Sequence, residues 1–111
     1  MAMAVLDKAA PHSALDASHM LESARLTTDF LKSLAHEGRL VILCRLAESP
    51  ATVGELEEFL GIRQSAVSQQ LARLRMEGLV ATERDGRSIR YSITDEKARQ
   101  VVRLLYDLFC R

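Results

Sequence analysis

A chain of 111 residues, 48% of them hydrophobic, has apolar surface for one modest core but not for two domains. Its formal net charge is zero, which excludes a uniformly basic coat for nucleic acid, but the distribution is uneven: residues 63–93 hold six arginines against Glu77, Glu83 and Asp85, net +3 against −3 elsewhere. The opening apolar run, Met1 to Leu6, is broken by Asp7 and lacks a basic leader, and no stretch has the length of a membrane span; the expectation is a cytoplasmic chain with no membrane partner and with its two cysteines reduced at rest.

Residues 1–17, including Pro11, His12 and Ser13, show no hydrophobic period and read as a mobile N-terminal arm. The remainder, 18–111, reads as one domain. Ser18 to Leu34 carries Leu21, Phe30, Leu31 and Leu34 on a helical stripe, and Glu37 to Ala47 carries Leu40, Val41, Leu43, Leu46 and Ala47; both stripes are expected in the core. A third helix, Val53 to Leu60, is entered from Thr52, with Glu55 placed to complete a capping box, and Gly61 ends it. The fourth runs from about Gln64 to Glu77, has Val67, Leu71 and Leu74 on its apolar stripe, and is closed by Gly78. Leu79 to Arg84 and Ser88 to Ile93 then read as a hairpin about Asp85-Gly86, with Ile89, Tyr91 and Ile93 facing inward. Thr94 is expected to cap a last helix bearing Ala98, Val101, Val102, Leu104, Leu105, Leu108 and Phe109.

Helix, tight turn, polar-faced helix and arginine-bearing hairpin, in that order, point to DNA. Gln64, Ser65, Ser68 and Gln69 offer amides and hydroxyls to base edges or phosphates, Ala72 allows close approach, and Arg73 supplies charge. Arg84, Arg87 and Arg90 lie at or near the hairpin tip, where a ribbon reaches the backbone or minor groove. The terminal helix has more apolar surface than so small a core requires, which points to a homodimer through the first and last helices reading two half-sites of double-stranded operator DNA. No nucleophile–base pair follows from the spacing of His12, His19 and His36, and there is no glycine-rich phosphate loop, so neither an enzyme nor a cofactor is expected. The fold class is mainly α with a small β-hairpin wing: a winged helix-turn-helix with a helical dimer interface. A winged-helix interaction module without DNA binding is the alternative from another class.

The run Arg63-Gln64-Ser65-Ala66-Val67-Ser68-Gln69-Gln70-Leu71-Ala72-Arg73-Leu74-Arg75-Met76-Glu77-Gly78-Leu79-Val80 resembles the signature of the ArsR-type winged helix-turn-helix repressors. Leu34 to Leu40 resembles the family's stretch before the core helix, and Gly86 to Tyr91 its wing. The resemblance covers roughly Ser18 to Cys110 and implies a dimer that leaves operator DNA when an inducer binds. Gln70 departs from it, since many members carry histidine there.

Many such proteins sense metals, but the third helix here holds no cysteine and the last no histidine, so neither of the family's metal sites has a counterpart. Two thiols do not close a tetrahedral zinc shell; the metal alternative would draw on Cys44, Cys110 and His36. Cys44 and Cys110 resemble instead the pair of the BigR/SqrR-like branch, persulfide-responsive repressors of sulfide-detoxification genes. That likeness implies a thiol switch bridged by reactive sulfur species or another oxidant. The plainer reading is that both fill apolar space. Both lie near helix C-terminal ends, where the dipole disfavours thiolate, with Arg45 and Arg111 adjacent in sequence.

Overall fold

The structure, a computed structural model, describes residues 16–110. The chain divides into two compact units between Lys32 and Ser33. Apart from Asp16 and Ala17, the expected N-terminal arm lies outside the described residues, as does Arg111.

Helix α1 (Ala17–Leu34) makes up the described part of the first unit and ends in the second. It starts one residue earlier than its hydrophobic period suggests, because Asp16 accepts from the Ser18 N–H and hydroxyl. Its stripe is core only at its end: Leu21 and Leu31 are exposed, Phe30 is half-buried, and Leu34 is buried. Helical spacing identifies an apolar face; it does not say what covers that face.

The second unit contains α2 (Glu37–Leu46), β1 (Ala51–Thr52), α3 (Val53–Leu60), α4 (Gln64–Met76), β2 (Val80–Asp85), β3 (Ser88–Ile93) and α5 (Glu96–Phe109). Its centre is formed by Ile42, Leu43 and Leu46 of α2, Leu56 of α3, Val67, Leu71 and Leu74 of α4, and Ala98 and Val102 of α5. Ile42 is the core residue that the expected α2 stripe omits. Val41, placed in that stripe, faces outward. The α3–α4 pair turns at Gly61, whose left-handed backbone (φ 69°) favours glycine and whose N–H bonds the Glu57 carbonyl. The expected capping box is complete: Thr52 Oγ1 accepts from Glu55 N at 3.1 Å and Glu55 Oε1 from Thr52 N at 3.0 Å.

The sheet has three antiparallel strands in the order β1-β3-β2, so the wing is a hairpin extended by a two-residue edge strand that the sequence does not announce. Asp85 pairs with Ser88, so the turn residues are Gly86 and Arg87, not Asp85 and Gly86. Gly86 has φ +67° and Arg87 does not have positive φ, the pattern of a hairpin turn with glycine at its first central position. Inward alternation along β3 holds at Ile93, is partial at Tyr91 and fails at Ile89, because the strand runs off the core toward its tip. Asp95, not Thr94, caps α5, accepting from Ala98 N at 3.1 Å. Thr94 is engaged elsewhere: its N–H bonds the Leu79 carbonyl and its hydroxyl the Gly78 carbonyl, tying the end of the hairpin to the chain before it.

Candidate functional site

Two regions of the second unit bring the candidate residues together. The first is the outer face of α4 with the wing. Val67, Leu71 and Leu74 anchor the helix inward, and the same geometry turns Gln64, Ser65, Ser68, Gln69, Ala72 and Arg73 to solvent. The N-terminus of α4 is chemically different from its neighbours. α2, α3 and α5 are capped by side chains of His36, Thr52 and Asp95, whereas Arg63 at the N-cap of α4 makes no such bond. The first N–H groups of α4 are therefore open to an external acceptor, and the helix dipole favours an anion there.

The arginines of the wing are not equivalent. Arg90 is tied down, its Nε donating to Asp85 at 2.9 Å and its Nη1 to Glu55 at 3.2 Å, so it lashes the wing to α3. The Thr52 backbone bond, the largest cause, and Arg90 hold the Glu55 carboxyl below the usual carboxylate range. Arg90, two residues in from the tip pair Asp85–Ser88, thus braces the wing. Arg84 makes only a 3.4 Å bond to the Gly86 carbonyl, and Arg87, in the turn itself, is exposed. Arg73 donates through Nε to Glu77 one helical turn on. A depression of about 450 Å³ between α4 and β3 is lined by Ser68, Ala72, Arg75, Met76 and Tyr91. Arg75 and Tyr91 thereby join the face, unforeseen as site residues. Arg75 is legible from its position three residues past Ala72, whereas alternation along the strand gives Tyr91 an inward role.

The second region is a groove of about 1070 Å³ between α2, the end of α3 and the C-terminal half of α5, with Leu40, Cys44, Phe59, Arg103, Tyr106 and Cys110 among its walls. It holds both cysteines, 66 positions apart in sequence. Both are free thiols, Cys44 half-buried on α2 and Cys110 exposed at the C-cap of α5. Burial pushes the Cys44 thiol above its ordinary range, and the nearby Cys110 adds to the effect. Arg45 does not relieve it. Its guanidinium bonds the Ser49 carbonyl and hydroxyl and lies 5.6 Å from the centre of the Phe59 ring.

His36 does not join this pair. Its Nδ1 accepts from Gly38 N at 3.0 Å and Arg39 N at 3.4 Å, capping α2 at the end away from Cys44. Eight residues of helix separate the two by about 12 Å along the axis, so the three-residue metal alternative is not assembled. Among the described residues no cluster of three metal-ligating side chains occurs, and no helix is long and apolar enough to cross a membrane.

Residues 36–82 match the family model described as bacterial regulatory protein, arsR family. The biofilm growth-associated repressor of Xylella fastidiosa (strain Temecula1) is 41% identical over 104 residues, covering 94% of this chain and 90% of that protein. The transcriptional activator HlyU of Vibrio cholerae is 41% identical over 81 residues, 73% of this chain and 75% of its own length. The crystal structure of the repressor BigR from Xylella fastidiosa superposes with a TM-score of 0.79 at 42% identity, over 86% of this chain and 94% of BigR.

Proposed function

Since the chain belongs to the ArsR family of bacterial regulatory proteins, and is a DNA-binding transcriptional regulator and not an enzyme, we propose that it is a homodimeric repressor, released from its operator when a reactive sulfur species or another thiol oxidant bridges Cys44 and Cys110. The genes it controls are those of sulfide detoxification. The observation that carries the switch is the sharing of one groove by the chain's two cysteines.

The DNA-reading part follows from the outer face of α4. Gln64, Ser65, Ser68 and Gln69 hydrogen-bond base edges or flanking phosphates in the major groove, a phosphate meets the uncapped N-terminus of α4, and Arg84 and Arg87 reach the backbone beside it. With zero net charge and few phosphate contacts per subunit, useful affinity requires two half-sites read together. α5 supplies the means. Its Val102–Tyr106–Cys110 face lines the thiol groove, while Leu104 and Leu108, on the opposite side, are 56% and 64% exposed and give a second subunit apolar area to cover.

The exposed Cys110 meets the oxidant first. With a persulfide R–S–SH, the Cys110 thiolate attacks the terminal sulfur, forming Cys110–S–SH; the S–S bond of the persulfide breaks, and RS⁻ leaves and takes a proton. Cys44, having lost its proton, attacks the Cys110 sulfur and expels hydrosulfide, leaving a Cys44–Cys110 disulfide. Two thiols are oxidised while the persulfide is reduced to the thiol RSH and hydrogen sulfide. A bridge holds the two Cα atoms within about 7 Å and so ties the end of α5 to α2. α2 packs on α4, and in this reading α5 carries the subunit contact, so the bridge changes the placement of the two recognition helices and their half-site spacing.

A gel shift on the protein's own promoter tests this reading. The reduced parent binds, and persulfide weakens binding by about 5- to 150-fold, the usual range of allosteric coupling. Cys44→Ser and Cys110→Ser each bind when reduced and ignore persulfide. Full release of either single variant would end the two-cysteine mechanism.

A further inference from the structure

Arg73 has the charge and the outward position of a phosphate-binding residue, yet its guanidinium is engaged along its own helix by Glu77. Glu77 is itself anchored. Its second carboxylate oxygen accepts from the hydroxyl of Ser33, a buried residue 44 positions earlier. The Ser33 carbonyl accepts from Arg39 Nε at 2.8 Å, and Arg39, only 8% exposed, donates through Nη1 to Gln70 Oε1 at 3.2 Å. The recognition helix is thus held at its middle through Gln70 and at its end through Glu77 by one connected set of polar groups.

A helix resting on Val67, Leu71 and Leu74 does not need this set to stay packed. A buried arginine and a buried serine cost desolvation unless satisfied, and here both are spent on aligning α4. The Ser33 hydroxyl, with Arg73 next, holds the Glu77 carboxyl below the usual carboxylate range, so it remains charged at neutral pH. Its negative charge then stands beside Arg73 at the C-terminal end of α4.

We propose that Ser33 and Glu77 are specificity-determining positioning residues that hold Arg73 away from phosphate, so that non-operator DNA gains no contact from it. The inference rests on the DNA-reading role of α4. A regulator must be tight on its operator and weak on competing duplex, and the phosphate contribution, blind to sequence, is what must be limited. Fixing the carboxylate through Ser33 makes the restraint part of the fold, where an ordinary exposed i,i+4 pair would yield readily to phosphate.

The test compares operator and scrambled duplexes across a salt series. Glu77→Gln keeps an acceptor for Ser33 but removes the charge. It should raise affinity for scrambled duplex by about 3- to 10-fold, steepen the salt slope by about one, and lower the operator-to-scrambled ratio. Ser33→Ala should shift the same readings in the same direction by less. Arg73→Ala in the parent should leave the scrambled-duplex slope unchanged, and in the Glu77→Gln background should return it to the parent's value. This pair also decides the matter if Ser33→Ala does not fold. An unchanged slope and ratio in folded Glu77→Gln, or a slope that falls by about one in Arg73→Ala alone, would overturn the inference. Failure of the parent to bind its promoter at all would instead remove the DNA-reading role beneath it.

Discussion

The outer face of α4 and the groove between α2 and α5 are built in opposite ways within one small unit. The first is a surface whose side chains are short, polar and turned to solvent, over a helix fixed by three buried aliphatic residues. The second is a mostly apolar hollow whose reactive groups come from residues 66 positions apart and whose chemistry depends on how deeply each is sunk. A recognition surface is specified locally, by the roughly 3.6-residue period that sends alternate faces in and out. The proposed two-residue switch depends on packing, because no period relates Cys44 to Cys110.

The largest test of that contrast falls on the side of α5 turned away from the groove. Leu104→Glu should leave the subunit folded, since the side chain is exposed, but would bury an unpaired carboxylate in the proposed dimer at a cost of several kcal/mol. Sedimentation should show monomers and operator binding should be lost with them; a dimer that persists moves the interface off this face.

Within the DNA face, Gln69→Ala should cost roughly 1–3 kcal/mol on the operator and relax base preference. Arg87→Ala should cost less, act alike on all sequences, and reduce the salt slope by about one. Arg90→Ala should differ from both: its partners are Glu55 and Asp85, so it should act by loosening the wing and not by removing a phosphate contact. If Arg90 and Arg87 variants gave the same salt slope, the division between brace and contact would fail.

The groove is best sharpened by pH. Because burial, chiefly, and Cys110, secondarily, raise the Cys44 pKa, its neutral thiol is the favoured folded form. That preference contributes stability below the ordinary thiol pKa and loses it as pH rises through the raised value. Alkylation of Cys44 in a Cys110→Ser variant should therefore lag a free thiol at neutral pH and catch up only in more alkaline solution. Removal of Cys110 deletes the smaller cause alone. A Cys44 that alkylates like a free thiol at neutral pH would contradict its burial.

The smallest expected effect lies at the cap of α5. Asp95→Ala removes the acceptor for Ala98 N and should lower stability by about 1 kcal/mol in a denaturant titration, with operator preference unchanged in the folded protein. A change in base preference would mean that the cap also sets the DNA face.

Much of this arrangement is written in the chain at short range. Thr52 and Glu55 three residues apart, Gly61 and Gly86 where the backbone turns left-handed, and Val67, Leu71 and Leu74 at helical spacing lead directly to α3, α4 and the wing, because each signal and its partner lie within a turn or two of one another. The resemblance in residues 63–80 then indicates the family before any fold is known. What the sequence leaves open is wherever the partner is distant. The apolar stripes of α1 and α5 do not reveal which side is covered, so periodicity places Leu21 and Leu31 in the core although both are exposed. Arginines read as equal along the wing separate once Glu55, 35 residues from Arg90, takes one of them out of play. The link from Ser33 to Glu77 and the common groove of Cys44 and Cys110 exist only because the tertiary fold closes long loops, and a loop's closure is decided by the packing of everything between its ends.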